Sequence, residues 1–292
     1  MKIYTICFLL VLQLASSIVQ AQIDFPNLSP PAYLKQKVGF MDITVEYERP
    51  AVRERKIMDG LVPFGKIWRT GAGKCTRISF SEDVTIHNTP VKAGSYSLFT
   101  VPNATEWTVI FNTDTTLYGA YDYDEKKDVV RFTLVPQKPG RFYETFTIDI
   151  DIVNNNAQFY LSWENTQIHF PVFTGTDERI MASIHQQLIE GKSDNGNVYE
   201  GAADYYIMNN KGLQQALQFA ELAIRNNGEV SSYYRKMQIL DKLGKYPEAI
   251  EAAKAGIGYI RKFGKKHNYD IPLEIATLEN HITELKNKMD GR

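Results

Sequence analysis

Between residues 38 and 173 apolar positions recur every second residue. MDITVEYER sets Ile43, Val45 and Tyr47 against Asp42, Thr44 and Glu46, and TRISF puts Thr76, Ile78 and Phe80 on one face. FYETFTIDIDI alternates Phe142, Phe146, Ile148, Ile150 and Ile152 with polar partners. SYSLFTVP, EWTVIFN, VVRFTLVP, AQFYLSWE and QIHFPV share the β-branched and aromatic enrichment of strands. HNTP at 87–90, Gly94, PQKPG at 136–140 and NNNA at 154–157 punctuate them as turns. Eight to ten short strands without helical patterns between them predict a mainly β sandwich, jelly-roll-like, over residues 22–175.

The period changes at Thr176. TDERIMASIHQQLIEG reads as a helix with Thr176 as N-cap, Ile180, Ile184 and Leu188 on one face, and Gly191 as its stop. Beyond it, KGLQQALQFAELAI (211–224) aligns with KYPEAIEAAKAGI (245–257) when Ala216 is laid on Ala249, an offset of 33 residues. Ala220 then falls on Ala253 and Ala223 on Gly256. Small residues at these places let helices pack closely. The period resembles that of tetratricopeptide repeats, with an irregular helical bundle as the alternative. A last helix from Pro272 to about Met289 carries Ile275, Leu278, Ile282, Leu285 and Met289 as one stripe. The second predicted region, 176–292, is thus all-α and repeat-like, with a surface suited to a protein partner.

The first residues, MKIYTICFLLVLQLASSIVQAQ, place one Lys before an apolar run from Ile3 to about Ala15. Val19 and Ala21 fit a cleavage site, so residues 1–21 read as a signal peptide and Gln22 as the first mature residue. The run falls short of the roughly 20 residues of a spanning helix. The expectation is export to the periplasm or outer envelope of a gram-negative bacterium, with no transmembrane segment after cleavage. Cys7 leaves with the leader, so Cys75 has no internal disulfide partner. With 33 basic and 34 acidic residues the chain lacks the basic surplus of a dedicated nucleic-acid binder.

GAGKCT at 71–76 looks like the end of a nucleotide-binding loop. G-x-x-x-x-G-K-[ST] would need Gly at 68 and Ser or Thr at 75, where Trp68 and Cys75 stand. The following TRISF is strand-like, so no helix N-terminus faces an anion. No nucleotide is expected.

A wider window explains the stretch. YERPAVRERKIMDGLVPFGKIWRTGA (47–72) carries Tyr47, Arg49-Pro50, Arg53, Arg55, Ile57, Leu61 to Gly65 and Trp68 to Ala72 in order. These residues resemble a bacterial family known as domain of unknown function 2911, with its Y-x-R-P, R-x-R-x-I and L-V-P-Y-G-x-V-W-R-T-G-A-N-E-A-T motifs. AGSYSLFTVP (93–102), EWTVIFN (106–112), YGAYDYDEKKDVVRF (118–132) and WEN (163–165) extend the resemblance over about 25–175. It implies an exported β-rich domain and no particular activity. Where relatives read A-N-E-A-T, this chain has Ala72-Gly73-Lys74-Cys75-Thr76, so any chemistry of that Asn-Glu pair is not implied here.

Residues 49–77 hold eight bases and two acids. Arg beside Trp suits an anionic group or a glycan, through forked hydrogen bonds and stacking. The candidate ligand site is therefore Arg49, Arg53, Arg55, Trp68, Arg69 and Thr70, with Asp122, Asp124 and Asp128. The competing reading pairs these arginines internally with the acids of YDYDEKKD. The D-x-D-x-x-x-D spacing raises calcium, but the Gly and distant Glu of a helix–loop–helix site are missing. The five histidines show no metal-ligand spacing, no G-x-S-x-G elbow occurs, and Cys75 reads as a half-buried strand residue. No cofactor is called for. A binding module leads. The alternatives are an envelope hydrolase, with carboxylates among Glu46, Glu48, Glu144 and Glu164, or a structural envelope subunit.

Overall fold

The structure is a computed structural model and describes residues 24–226 and 228–291. The leader reading falls on residues outside these. The chain divides into two compact units, one of 24–151 with Ala157–Phe173, the other of Ile152–Asn156 with 174–291.

The first unit is two antiparallel sheets. Its strands are β1 (Pro31–Val38), β2 (Met41–Glu48), β3 (Thr76–Phe80), β4 (Val84–Ile86), β5 (Thr89–Val91), β6 (Gly94–Val101), β7 (Trp107–Asn112), β8 (Asp128–Leu134), β9 (Tyr143–Val153), β10 (Asn156–Glu164) and β11 (Thr166–Phe173). One sheet runs β1-β2-β3-β6-β7-β8 and the other β5-β4-β11-β10-β9. Strand β1 is not part of the period-two reading, because Gln36 on its inward face and Tyr33 on its outward face blur the alternation, while Pro31, Lys35 and Lys37 stand outward. These residues suit an edge strand, which they protect from pairing with other chains. The turn signals have their expected conformations. His87 and Asn88, and again Asn154 and Asn155, all have positive φ, as tight hairpins demand.

Alternation builds the core. Met41, Ile43, Val45 and Tyr47 of β2 are buried, as are Ile78 and Phe80 of β3, and they share one cluster with Phe159, Leu161 and Phe170 of the second sheet. The sheets meet face to face through edge-on rings: Phe170 lies 6.0 Å from Phe111 and 5.4 Å from Phe132. Tyr47 adds a polar tie, its hydroxyl accepting from Ile148 N at 3.0 Å on β9.

After β2 the chain changes sheet. Phe146 N donates to Pro50 O and Val52 N to Glu144 O, so residues 50–52 run along β9. It then returns, and Trp68 exchanges two backbone hydrogen bonds with Thr100 of β6. This return buries Trp68 between the sheets. Its ring stacks on Trp163 of β10 at 5.7 Å and meets Phe146 of β9 and Trp107 of β7 edge-on at 5.1 and 6.4 Å.

The second unit is helical: α1 (Thr176–Ile184), continued by a π-turn over His185–Glu190, then α2 (Gly196–Met208), α3 (Leu213–Arg225), α4 (Val230–Lys242), α5 (Tyr246–Phe263) and α6 (Ile271–Met289). Thr176 is the first helical residue of α1 rather than its cap. Gly175 occupies that place at φ +66°, and the Thr174 hydroxyl accepts from Thr176 N. The starts of α2 and α4 lie 34 residues apart and those of α3 and α5 lie 33 apart, matching the repeat offset. Ala216, Ala220 and Ala223 are fully buried, as are Ala249 and Ala253. At Gly256 an added Cβ would sit 3.2 Å from both Leu278 and Tyr233, so only a hydrogen fits well. On α6, Leu278 and Leu285 are buried with Ile275 and Ile282 beside them, while Met289 is exposed and leaves the stripe. No helix of the described residues is long and apolar enough to cross a membrane.

Trp68 predicts the weak point of the β unit. Trp68→Ala removes a ring that contacts three aromatic partners in two sheets, and should cost about 3–5 kcal/mol. Urea unfolding followed by far-ultraviolet circular dichroism would show it as an earlier β transition.

Candidate functional site

The basic stretch does not meet the acidic one. Arg49 extends along β9, donating from Nε to Phe146 O at 3.1 Å and from Nη2 to the hydroxyls of Thr145 and Thr147 at 2.9 and 2.8 Å. Arg53, at φ +47°, donates from Nη2 to Leu28 O, and its backbone N–H binds Glu144. Arg55 donates to Val52 O and Ala51 O. These guanidiniums close the irregular segment that links the sheets. Their donors reach four carbonyls, of Leu28, Ala51, Val52 and Phe146, and two threonine hydroxyls.

The acids have their own partners. Asp124 caps a short 3-10 turn over Glu125–Lys127 by accepting from Lys126 N. Asp128 accepts from Asn112 at 2.8 Å, from the Tyr123 hydroxyl at 2.6 Å and from Arg131. Burial, followed by the Asp128 carboxylate, pushes the Tyr123 phenol up to about 12. Asp122 is exposed. Among the described residues no group of three His, Cys, Asp or Glu converges in a way that could hold a metal.

GAGKCT is a turn stitched to residues 117–119. Cys75 N donates to Leu117 O at 3.0 Å, and Gly73 O accepts from Gly119 N at 2.9 Å. Cys75 is more buried than its half-buried reading. It packs with Phe99, Ile110 and Leu117, with its Sγ 2.9 Å from the Ser97 hydroxyl.

Trp68, Arg69 and Thr70 follow three different fates. Trp68 is core, and its indole N–H donates to Gly71 O at 3.1 Å, so it offers no open stacking face. Thr70 is fully buried at φ +54°, its hydroxyl 3.1 Å from that of Thr100 and its carbonyl accepting from Thr76. Arg69 is half-buried. It forms no ion pair with a described residue, and its Nε is buried without a hydrogen-bond partner. A second buried donor, the indole N–H of Trp163, is also unpartnered. Both residues line one cavity of about 240 Å³, together with Arg55, Trp68, Leu61 and Val62. No carboxylate lines it.

Three candidate residues thus separate from the rest. Arg55, Trp68 and Arg69 come together at this cavity, with Trp68 as a wall, whereas Arg49, Arg53, Thr70 and the three aspartates lie outside its lining. Thr70 immediately behind Arg69 fixes the backbone there. Trp163 escapes a reading of the basic stretch because it stands almost a hundred residues away. Its one signal in the sequence is the WEN motif.

Residues 29–172 match the family model described as Protein of unknown function (DUF2911). That match spans both cavity-lining tryptophans and all three cavity arginine and tryptophan candidates named above. No curated protein and no solved structure gives a significant match to the chain.

Two substitutions of equal shape should differ in sign. Arg49→Met loses three hydrogen bonds and should destabilise by roughly 1.5–3 kcal/mol, whereas Arg69→Met removes a buried donor that has no partner and should leave the melting temperature unchanged or raise it. Thermal unfolding of the two variants checks this. On the acidic side, Lys127 and the Thr116 hydroxyl hold Asp114 down at about 2, below the ordinary aspartate value. A depressed carboxyl contributes its stabilisation above the unfolded value and loses it as pH falls through the folded one. Carbon-13 titration should place Asp114 near 2, and Lys127→Met should move it upward.

Proposed function

We propose that this chain is an exported, non-enzymatic binding protein whose β unit takes a small anionic ligand at the Arg55–Arg69–Trp163 cavity. The observation that carries this reading is the pair of buried, unpartnered donors, Arg69 Nε and Trp163 Nε1, on residues lining one cavity. A buried donor without a partner costs about 1–3 kcal/mol, and a ligand acceptor offsets that cost. The guanidiniums of Arg55 and Arg69, with no lining carboxylate, favour a negative group. Leu61, Val62 and Trp68 supply apolar walls. The volume suits a carboxylate-bearing molecule about the size of one sugar acid or one acyl amino acid.

The leader-like first residues support export to a bacterial envelope, and the helix pairs of the second unit offer a surface to a protein partner. In this reading the β unit recognises the ligand and the repeat-like helices recognise the partner.

Calorimetric titration of the full chain with small carboxylates and uronic acids, beside their uncharged analogues, tests the site. The acids should bind and the neutral analogues should not. Arg69→Lys keeps the charge but loses the fork and the Nε donor, and should weaken binding about tenfold at an unchanged melting temperature. Equal binding of acid and neutral forms, or binding indifferent to Arg69→Lys, would overturn the proposal.

A further inference from the structure

A second cavity, of about 510 Å³, lies beside the ends of β1 and β2 and shares no lining residue with the first. Its ionisable lining is balanced: Glu46 and Glu48 against Lys74 and Arg77. The four are not equivalent. Arg77 Nη2 lies 2.6 Å from both carboxylate oxygens of Glu46, so that pair neutralises itself across neighbouring strands. Among the described residues, Glu48 and Lys74 make no ion pair, including with each other, and no side-chain hydrogen bond.

The backbone leaves room for Glu48 in this place. Gly73 has φ +53°, and an added Cβ there would fall 2.4 Å from both Glu48 carboxylate oxygens. The bare backbone at 73 is what lets the carboxylate lie there, and any side chain would displace it. The backbone of Lys74, the next residue, is fixed by its bridge to Tyr118. These are the two positions at which the chain departs from the Asn-Glu of the family pattern.

We infer that this cavity binds a zwitterionic small molecule of the amino-acid or peptide-terminus class, its ammonium facing Glu48 and its carboxylate facing Lys74. A cavity with no net charge favours neither a simple anion nor a simple cation. Two opposite charges that lie apart, each without a partner, are complementary to a molecule that carries both signs at a separation. Tyr33, 64% exposed at the cavity wall, offers an aromatic surface to the apolar remainder.

Calorimetry on the full chain carrying Arg69→Met, which disables the anion cavity, tests this, with leucine and a Leu-Gly dipeptide as zwitterions, N-acetyl-leucine and leucinamide as forms blocked at one end, and maltose as a neutral saccharide. The zwitterions should bind, and each blocked form should bind at least about tenfold more weakly. Glu48→Gln and Lys74→Met should each weaken zwitterion binding by a similar factor. Neither residue has a partner to lose, so both variants should keep the melting temperature of the Arg69→Met protein. This binding should persist without Arg69, which separates it from the anion cavity. The comparison of free and blocked forms needs neither Glu48→Gln nor Lys74→Met and stands even if one of them misfolds. Equal affinity for free and blocked forms, binding of maltose alone, no binding at millimolar concentration, or zwitterion binding that survives both substitutions would each overturn the inference.

Discussion

Trp68 sits between the sheets because the backbone on either side leaves it no other place. Its own N–H and C=O are spent on Thr100 of β6, and its indole N–H on Gly71 three residues ahead. The ring therefore faces inward, where Trp163, Phe146 and Trp107 close around it. All three tryptophans of the chain meet in this cluster. The long excursion between β2 and β3 would otherwise be a loop with little of its own to bury. The aromatic cluster anchors it, and everything the excursion carries takes its position from that anchor.

The candidate site follows from the same anchor. With Trp68 inside and Thr70 locked at positive φ by Thr76 and Thr100, Arg69 has one direction left. Its guanidinium reaches toward the backbone at Gly119, where a Cβ would lie 3.5 Å from Nη1. Its Nε is left buried and unpartnered, as is the indole N–H of Trp163. Folded proteins pair the great majority of buried polar groups. Two exceptions on the wall of one cavity are a local cost that the aromatic packing sustains, and such costs concentrate where a ligand completes the set.

Charge also serves structure. Arg49 ties the crossing segment to β9, Arg53 ties it to Leu28, and Arg55, while lining the cavity, donates to the segment's own Ala51 and Val52 carbonyls. Asp128 is claimed by Arg131 and Tyr123 on its own side of the unit. In the helical unit the comparable constraint is steric. Alanines and a glycine at matching places in two helix pairs set how near the helices approach.

By itself the sequence determined the periods, and with them the two antiparallel sheets, the all-helical second unit and the hairpin turns at 87–88 and 154–155. Those are local properties: alternation, β-branched enrichment, Asn at positive φ, and small residues at a 33-residue offset. It also showed that GAGKCT lacks the residues of a phosphate loop, since that argument needs only side-chain chemistry. What it did not determine was which of nine candidate residues share a cavity. Trp68 and Arg69 are adjacent in the chain and line one cavity with Trp163, yet the first is part of the aromatic core and the second leaves a buried donor unpaired. The acids at 122–128 and the arginines at 49–69 are complementary in charge, yet Asp124, Asp128, Arg49, Arg53 and Arg55 find other partners and Arg69 finds none. Sequence encodes the sign and shape of a side chain, whereas its partner is set by which strands cross overhead. Only the tertiary structure brought Trp163 to Arg69 and left both donors unpaired, because the path that buries Trp68 is a long-range packing solution written in no local pattern.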